Sequence, residues 1–102
     1  PHVAGAAALL KSVHPAWTPA ELRSALMLTA NPVVREPLGS AFATPDQAGA
    51  GMLNVASAVR VGLVMPEHFD AYLAANPATG GQPRRLNLPS IRHRSCAGQC
   101  LS

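Results

Sequence analysis

Small and apolar residues run without interruption over residues 3–10. A helix that is apolar on every side is typical of the centre of a domain, because none of its faces is suited to water. The pattern therefore predicts a helix over residues 2–13 that is more enclosed by the rest of the chain than any other helix. His14-Pro15 ends it, since the residue before a proline avoids helical geometry.

The next stretch carries a strong helix-start signal. Thr18, Pro19 and Glu21 supply a capping hydroxyl, a proline for the first turn and a carboxylate at the third helical position. Apolar side chains then recur on one face at helical spacing, at Leu22, Ala25 and Leu26. These signals predict a helix over residues 18–30, which the first Asn-Pro pair of the chain ends.

The chain contains ten prolines and eight glycines, which break the rest of it into short elements. We predict an irregular excursion or short hairpin over residues 32–51, followed by a helix over 54–61 that Asn54 caps. An extended segment over 63–65 and a helix over 66–75 come next. A linker over 78–85 then leads to strands from Leu86 onward.

Composition and charge argue against nucleic-acid binding and membrane insertion. Hydrophobic residues make up 48% of the sequence and aromatic residues only 4%, so the core is built largely from small side chains. The net charge of +3 is uneven, because four arginines and no acid follow Pro83. A basic tail can indicate nucleic-acid binding, but no aromatic residue follows Tyr72 to stack on a base. The longest apolar run is far too short to cross a bilayer. We therefore expect neither nucleic acid nor a membrane as a partner.

The first residues, Pro1-His2-Val3-Ala4-Gly5, are followed by small residues and two leucines. This pattern resembles the second half of the nucleophile motif of the subtilases, the subtilisin-like serine proteases, which reads Gly-Thr-Ser-Met-Ala-x-Pro-His-Val-Ala-Gly. The resemblance implies that the nucleophilic serine lies about four positions ahead of Pro1, with the triad histidine and aspartate further upstream. No catalytic residue is expected in this chain, and its first five residues are a remnant of the motif.

Later segments are similar to subtilases in the same order: residues 14–26, the Gly-x-Gly-x-x-Asn pattern of residues 49–54, and residues 86–91. The implied fold is α/β, with residues 1–77 as the C-terminal, mainly helical part of a parallel-sheet catalytic domain. Residues 78–85 are then a linker to the start of a β-sandwich that resembles a fibronectin type III domain, over 86–102. Because the sheet strands would precede this chain, part of the first helix's apolar surface is expected to face water.

The histidines and cysteines show no catalytic or metal-binding pattern. His2 is expected to be a buried structural histidine, because the resemblance places the triad histidine far upstream. Cys96 and Cys100 are candidates for a local disulfide in an exported protein, with metal binding and free thiols as the alternatives. We expect no metal site and no cofactor in this chain. Whether the longer protein binds calcium stays an open question at this point.

The resemblance implies a fragment of a secreted endopeptidase that cleaves protein or peptide substrates by Ser-His-Asp acyl-enzyme chemistry. The fragment alone is predicted to be inactive and to supply the helix that follows the nucleophile. Its partners in the same polypeptide would be the upstream catalytic domain and the downstream β-sandwich. Two alternatives stay open: a non-catalytic helical interaction module, and a pseudoprotease remnant whose serine has been replaced.

Overall fold

The computed structural model describes residues 1–89, and these residues are mainly helical, as predicted. Five α-helices follow one another in this range: α1 (His2–Val13), α2 (Pro19–Leu28), α3 (Pro45–Ala48), α4 (Val55–Val59) and α5 (Phe69–Ala74). Two single-turn 3-10 helices follow, at Pro77–Thr79 and Pro83–Arg85. Helices α1, α2, α4 and α5 confirm the predicted helices, with later starts and earlier ends for the last three. No helix in the described range is long and apolar enough to cross a membrane.

Helix α2 begins where the sequence predicts it, and its first turn forms the predicted capping box. The Thr18 hydroxyl accepts a hydrogen bond from the Glu21 backbone N–H at 3.3 Å, and the Glu21 carboxylate accepts one from the Thr18 N–H at 2.6 Å. Two N–H groups that an α-helix leaves without an internal partner are satisfied in this way. The box therefore stabilises the start of α2.

Helices α1, α2 and α4 contact one another and enclose the main core. Four residues form its centre, Ala6 and Leu10 of α1, Leu26 of α2 and Ala58 of α4, and Leu10 and Ala58 are fully buried. Half-buried apolar side chains, including those of Trp17 and Leu53, surround this centre. We call these three helices the helical cluster.

The prediction that α1 is the most enclosed helix is wrong. Helix α1 buries Ala6 and Leu10, whereas α2 buries three residues, Ser24, Ala25 and Leu26. The cause is that α2 and α4 cover one side of α1. Three of its large apolar side chains stay exposed: Val3 at 62%, Leu9 at 59% and Val13 at 53%. The expectation that part of the apolar surface of α1 faces water is confirmed.

The excursion between α2 and α4 is a closed loop with a short internal hairpin. Its ends pair through two backbone hydrogen bonds of 2.8 Å between Asn31 and Met52, and Arg35 bridges to Phe42 within it. These two isolated bridges are the only β-pairing in residues 1–89. Gly51 is required at the closure: its φ is +117°, and a Cβ would lie 2.2 Å from the Asn31 carbonyl oxygen. Helix α3 was missed, although Thr44 and the residues after it repeat the capping-box signature of α2.

The residues from 63 to 89, which we call the C-terminal segment, contain α5, both 3-10 helices and no strand. The predicted extended segment 63–65 pairs with no strand; it is attached to α2 through its Met65 N–H instead. Residues 86–88, predicted to begin a β-rich domain, form no strand either, because the described residues offer their backbone no strand partner. The rest of that predicted domain, with Cys96 and Cys100, lies outside the described residues.

Candidate functional site at the start of helix α1

The motif residues form the first turn of α1 and its entry. Pro1 precedes the helix, and its carbonyl oxygen accepts the first helical hydrogen bond, from the Gly5 N–H at 2.9 Å. All five motif residues are exposed in this chain.

Two of these residues have no neighbour where one was expected. His2, interpreted from sequence as a buried structural histidine, is exposed, because no described residue packs over it. A Cβ at Gly5 would have no atom within 4 Å apart from its own helix and chain neighbours. The space that a glycine leaves for close approach is therefore not used by any of the described residues.

The other end of α1 is firmly anchored. The His14 ring lies 3.9 Å from the Trp17 ring in a stacked arrangement, and its Nε2 donates to the Val59 carbonyl oxygen of α4 at 2.9 Å. The Lys11 ammonium donates to the carbonyl oxygens of Pro15 and Trp17, both at 2.7 Å. This anchor was not predicted, because His14 was interpreted only as part of the signal that ends α1. Nothing in the sequence indicates a contact between residues that lie 45 positions apart.

An apolar groove of about 360 Å³ lies beside the motif end of α1, between α1, α2 and the residues just before α4. Val3 and Ala7 form its α1 wall. The other lining residues come from α2 and its C-terminal end, and from the start of the α4 entry: Pro19, Leu22, Arg23, Leu26, Met27, Ala30, Ala50, Gly51 and Leu53. No sequence pattern pointed to this groove, because its walls are brought together from three distant segments.

Several polar side chains form hydrogen bonds that stabilise local structure. The Ser12 hydroxyl donates to the Leu9 carbonyl oxygen at 2.7 Å, and the buried Ser24 hydroxyl accepts from the Met65 N–H at 2.7 Å. The Thr18 backbone N–H, and then the Thr18 hydroxyl, donate to Glu21 and lower the pKa of its carboxyl group. Within residues 1–89 no group of three His, Cys, Asp or Glu side chains is placed to hold a metal ion.

Comparison with known proteins gives one consistent family. The model of the "Subtilase family" matches residues 1–62. The chain is 42% identical over 95 residues to subtilisin-like protease SBT1.6 of Arabidopsis thaliana, covering 86% of this chain and 12% of the relative. It is 44% identical over 102 residues to subtilisin-like protease SBT3 of Solanum lycopersicum, covering 91% of this chain and 13% of the relative. The chain thus spans about an eighth of the length of these relatives. No solved structure matches.

Proposed function

Since this chain belongs to the subtilase family, we propose that it is part of a secreted serine endopeptidase and supplies the helix that follows the nucleophilic serine. One observation carries the proposal: the Pro-His-Val-Ala-Gly motif forms the start of α1, and the helical cluster anchors this helix at its far end. The motif end is held in a defined direction while its own surface stays exposed.

The proposed chemistry follows from this placement. The family motif has a serine about four positions ahead of Pro1, and in the proposed enzyme the helix begins near that serine, ahead of Pro1. Unpaired N–H groups and the positive end of the helix dipole at such a terminus stabilise the negative charge that develops on the oxygen of a tetrahedral intermediate. In the proposed enzyme the serine attacks the scissile carbonyl, and a histidine oriented by an aspartate takes its proton and returns it to the leaving amine.

The anchor at His14 is what this chain contributes to that chemistry. A displacement of the nucleophile of about 1 Å costs on the order of a hundredfold in rate. Leu10 and Ala6 in the core, together with the hydrogen bond from His14 to Val59, resist sliding or rotation of α1. The proposed role of these residues is therefore to position the nucleophile without touching the substrate.

The same proposal covers the longer protein. Residues 1–77 belong to its catalytic domain, residues 78–85 link this domain to a β-sandwich that begins near Leu86, and the substrates are proteins or peptides. Export of the protein and a Cys96–Cys100 disulfide are part of the proposal, since disulfides persist in oxidising compartments. Any calcium bound by the enzyme is assigned to parts of the protein outside this chain.

The test begins with the dozen codons that precede Pro1. We expect them to encode Gly-Thr-Ser-Met, and we expect the expressed longer protein to react stoichiometrically with a fluorophosphonate probe while the 102-residue chain does not react. A replaced serine would identify a pseudoprotease. A start codon and signal peptide directly ahead of Pro1 would favour the helical interaction module, and labelling of the 102-residue chain itself would contradict the assignment of the nucleophile.

A further inference from the structure

We propose that Arg84-Arg85 is a processing site, at which an endoprotease specific for paired basic residues cleaves the chain between Arg85 and Leu86. The two arginines are the only adjacent pair of Lys or Arg residues in the sequence. They follow Pro83 in the second 3-10 helix, and both are exposed. An external enzyme can therefore reach both side chains.

The guanidinium groups of the pair are available to a partner. Arg84 Nε donates to the side-chain oxygen of Gln82 at 3.0 Å, and within residues 1–89 neither arginine forms an ion pair. Guanidinium groups bind carboxylates through two parallel hydrogen bonds, so pockets lined by acidic residues recognise them well. Three other basic side chains already donate hydrogen bonds within the chain: Lys11, Arg23 and Arg35.

The backbone around the pair is weakly held. A protease needs this, because exposed segments that can be drawn out as a strand are the ones that are cut. Two backbone hydrogen bonds close the turn, from Arg85 to Gln82 at 3.0 Å and from Leu86 to Pro83 at 3.1 Å. Gln82 and Leu86, on either side of the turn, are already extended. No residue from 76 to 89 is buried, so opening the turn exposes no core.

The proposed reaction is a hydrolysis. Water adds across the Arg85–Leu86 peptide bond, leaving a carboxylate on Arg85 and an amine on Leu86. After the cut, the hydrogen bond from the Asn87 N–H to the Glu67 carboxylate still joins the new end to the C-terminal segment. The cut falls at the end of the predicted linker over 78–85. Its consequence, separation of the catalytic domain from the β-sandwich, rests on the proposed function.

The first experiment uses the longer protein, treated with a fluorophosphonate probe to prevent self-cleavage and then exposed to purified kexin, which cuts after paired basic residues. Mass spectrometry follows the fragment that begins at Leu86. We expect this fragment from the unsubstituted protein and from Arg60→Gln, a matched exposed arginine without a basic neighbour. Arg84→Gln and Arg85→Gln should each slow its release at least about a hundredfold, because an acidic pocket of the protease loses its guanidinium. No fragment from the unsubstituted protein would overturn the proposal.

A second pair of basic residues tests whether the exposed turn matters. Ser12→Arg creates this pair beside Lys11, on the surface of α1. We expect it to be cut at least about tenfold more slowly than the natural pair in the same molecule, because α1 would first have to unwind from the core. Equal rates at the two pairs would overturn the assignment to the turn.

The last experiment maps the termini of the longer protein after secretion from plant cells. We expect a polypeptide that ends at Arg85, and its loss in Arg85→Gln but not in Arg60→Gln. A chain that stays intact across this bond would overturn the proposal. Intact protein with weaker retention on heparin in Arg85→Gln would overturn it in favour of polyanion binding.

Failure of the proposed function gives a different result. A longer protein that does not react with the fluorophosphonate probe would contradict the role of α1 behind the nucleophile. Cleavage by kexin would still test the Arg84-Arg85 site in that protein, because the readout is a fragment and not the activity of the protein itself.

Discussion

The helical cluster and the C-terminal segment are held together by different forces. The cluster is built on buried side chains, with Leu10 and Ala58 completely enclosed. Among residues 63–89 only Ala75 is buried, and the segment is attached to α2 by two side-chain hydrogen bonds, from the Met65 N–H to Ser24 and from Arg23 to Tyr72.

The boundary between these two regions coincides with the end of the family match at residue 62. Each buried side chain of the cluster contacts many others at once, whereas a tether depends on one donor and one acceptor. We therefore expect a substitution in the core of the cluster to destabilise all three helices. A substitution that removes a tether should destabilise only the segment that the tether holds. Three substitutions and one pH titration test this contrast.

The largest effect is expected from Leu10→Ala. Leu10 is fully buried at the centre of the cluster, and truncating such a leucine costs about 2–5 kcal/mol through lost transfer energy and the cavity left behind. This is comparable with the whole stability of many domains, so the helical circular dichroism signal should fall and amide exchange in α1, α2 and α4 should speed up together. Leu9→Ala is the control, because Leu9 is 59% exposed. Equal losses in both variants would show that the cluster is not the stabilising core.

Gly81→Ala tests whether the C-terminal segment has tight packing of its own. A Cβ at Gly81 would lie 2.3 Å from the Ala74 carbonyl oxygen, so the 3-10 turn after α5 has to move. Overpacking of this kind costs roughly 1–3 kcal/mol. We expect faster amide exchange at Gly81, whose N–H donates to the Asn76 carbonyl oxygen, and unchanged exchange in the cluster. Gly62→Ala is the control, since its Cβ would meet nothing within 4 Å; a loss that reached α1 would contradict the separation of the two regions.

Ser24→Ala removes the tether between the two regions. The change leaves the Met65 N–H without its acceptor, at a cost of about 1–2 kcal/mol. Limited proteolysis should then cleave more rapidly between α4 and α5 and no faster within α1. Ser57→Ala is the control, because Ser57 is an exposed residue of α4. Unchanged cleavage would show that the Ser24 hydrogen bond does not hold the segment.

The contrast also explains which features the sequence could predict. The start of α2 depends on a signal within a few residues, the Thr18–Glu21 box, and it was predicted. Helix α3 has the same local signal at Thr44 and was missed because its four residues lie among glycines and prolines. Local chemistry therefore carries enough information for helix starts, including one that was overlooked.

The features that were wrong or missed depend on distant contacts. The exposure of α1 depends on which side α2 and α4 cover, and the groove depends on three segments meeting. The anchor from His14 to Val59 and the tether from Ser24 to Met65 join residues 45 and 41 positions apart. Periodicity reports that a face is apolar, but it does not report which partner covers that face. The motif was found because its residues are contiguous, and its surroundings were not found because they are scattered.

The smallest effect concerns the entry to the cluster and is a dependence on pH. Hydrogen bonds from Thr18 hold the pKa of the Glu21 carboxyl below its usual value. In the unfolded chain Glu21 therefore takes up a proton at a higher pH than in the folded chain. The stabilising contribution of the box is complete above the ordinary Glu pKa and is lost as the pH falls through the lowered one.

Amide exchange in the first turn of α2 is the measurement, followed from neutral pH downward and corrected for the intrinsic pH dependence of exchange. We expect constant protection down to the ordinary Glu pKa and a progressive loss below it. Glu21→Gln keeps a side chain that can accept from the Thr18 N–H but does not titrate, so its protection should not show this loss. Thr18→Ala should lower protection at every pH, by about 1 kcal/mol, since the cap itself is gone. A loss of the same size in Glu21→Gln would show that another group titrates, and that the charge of Glu21 does not cause the pH dependence at the entry to the cluster.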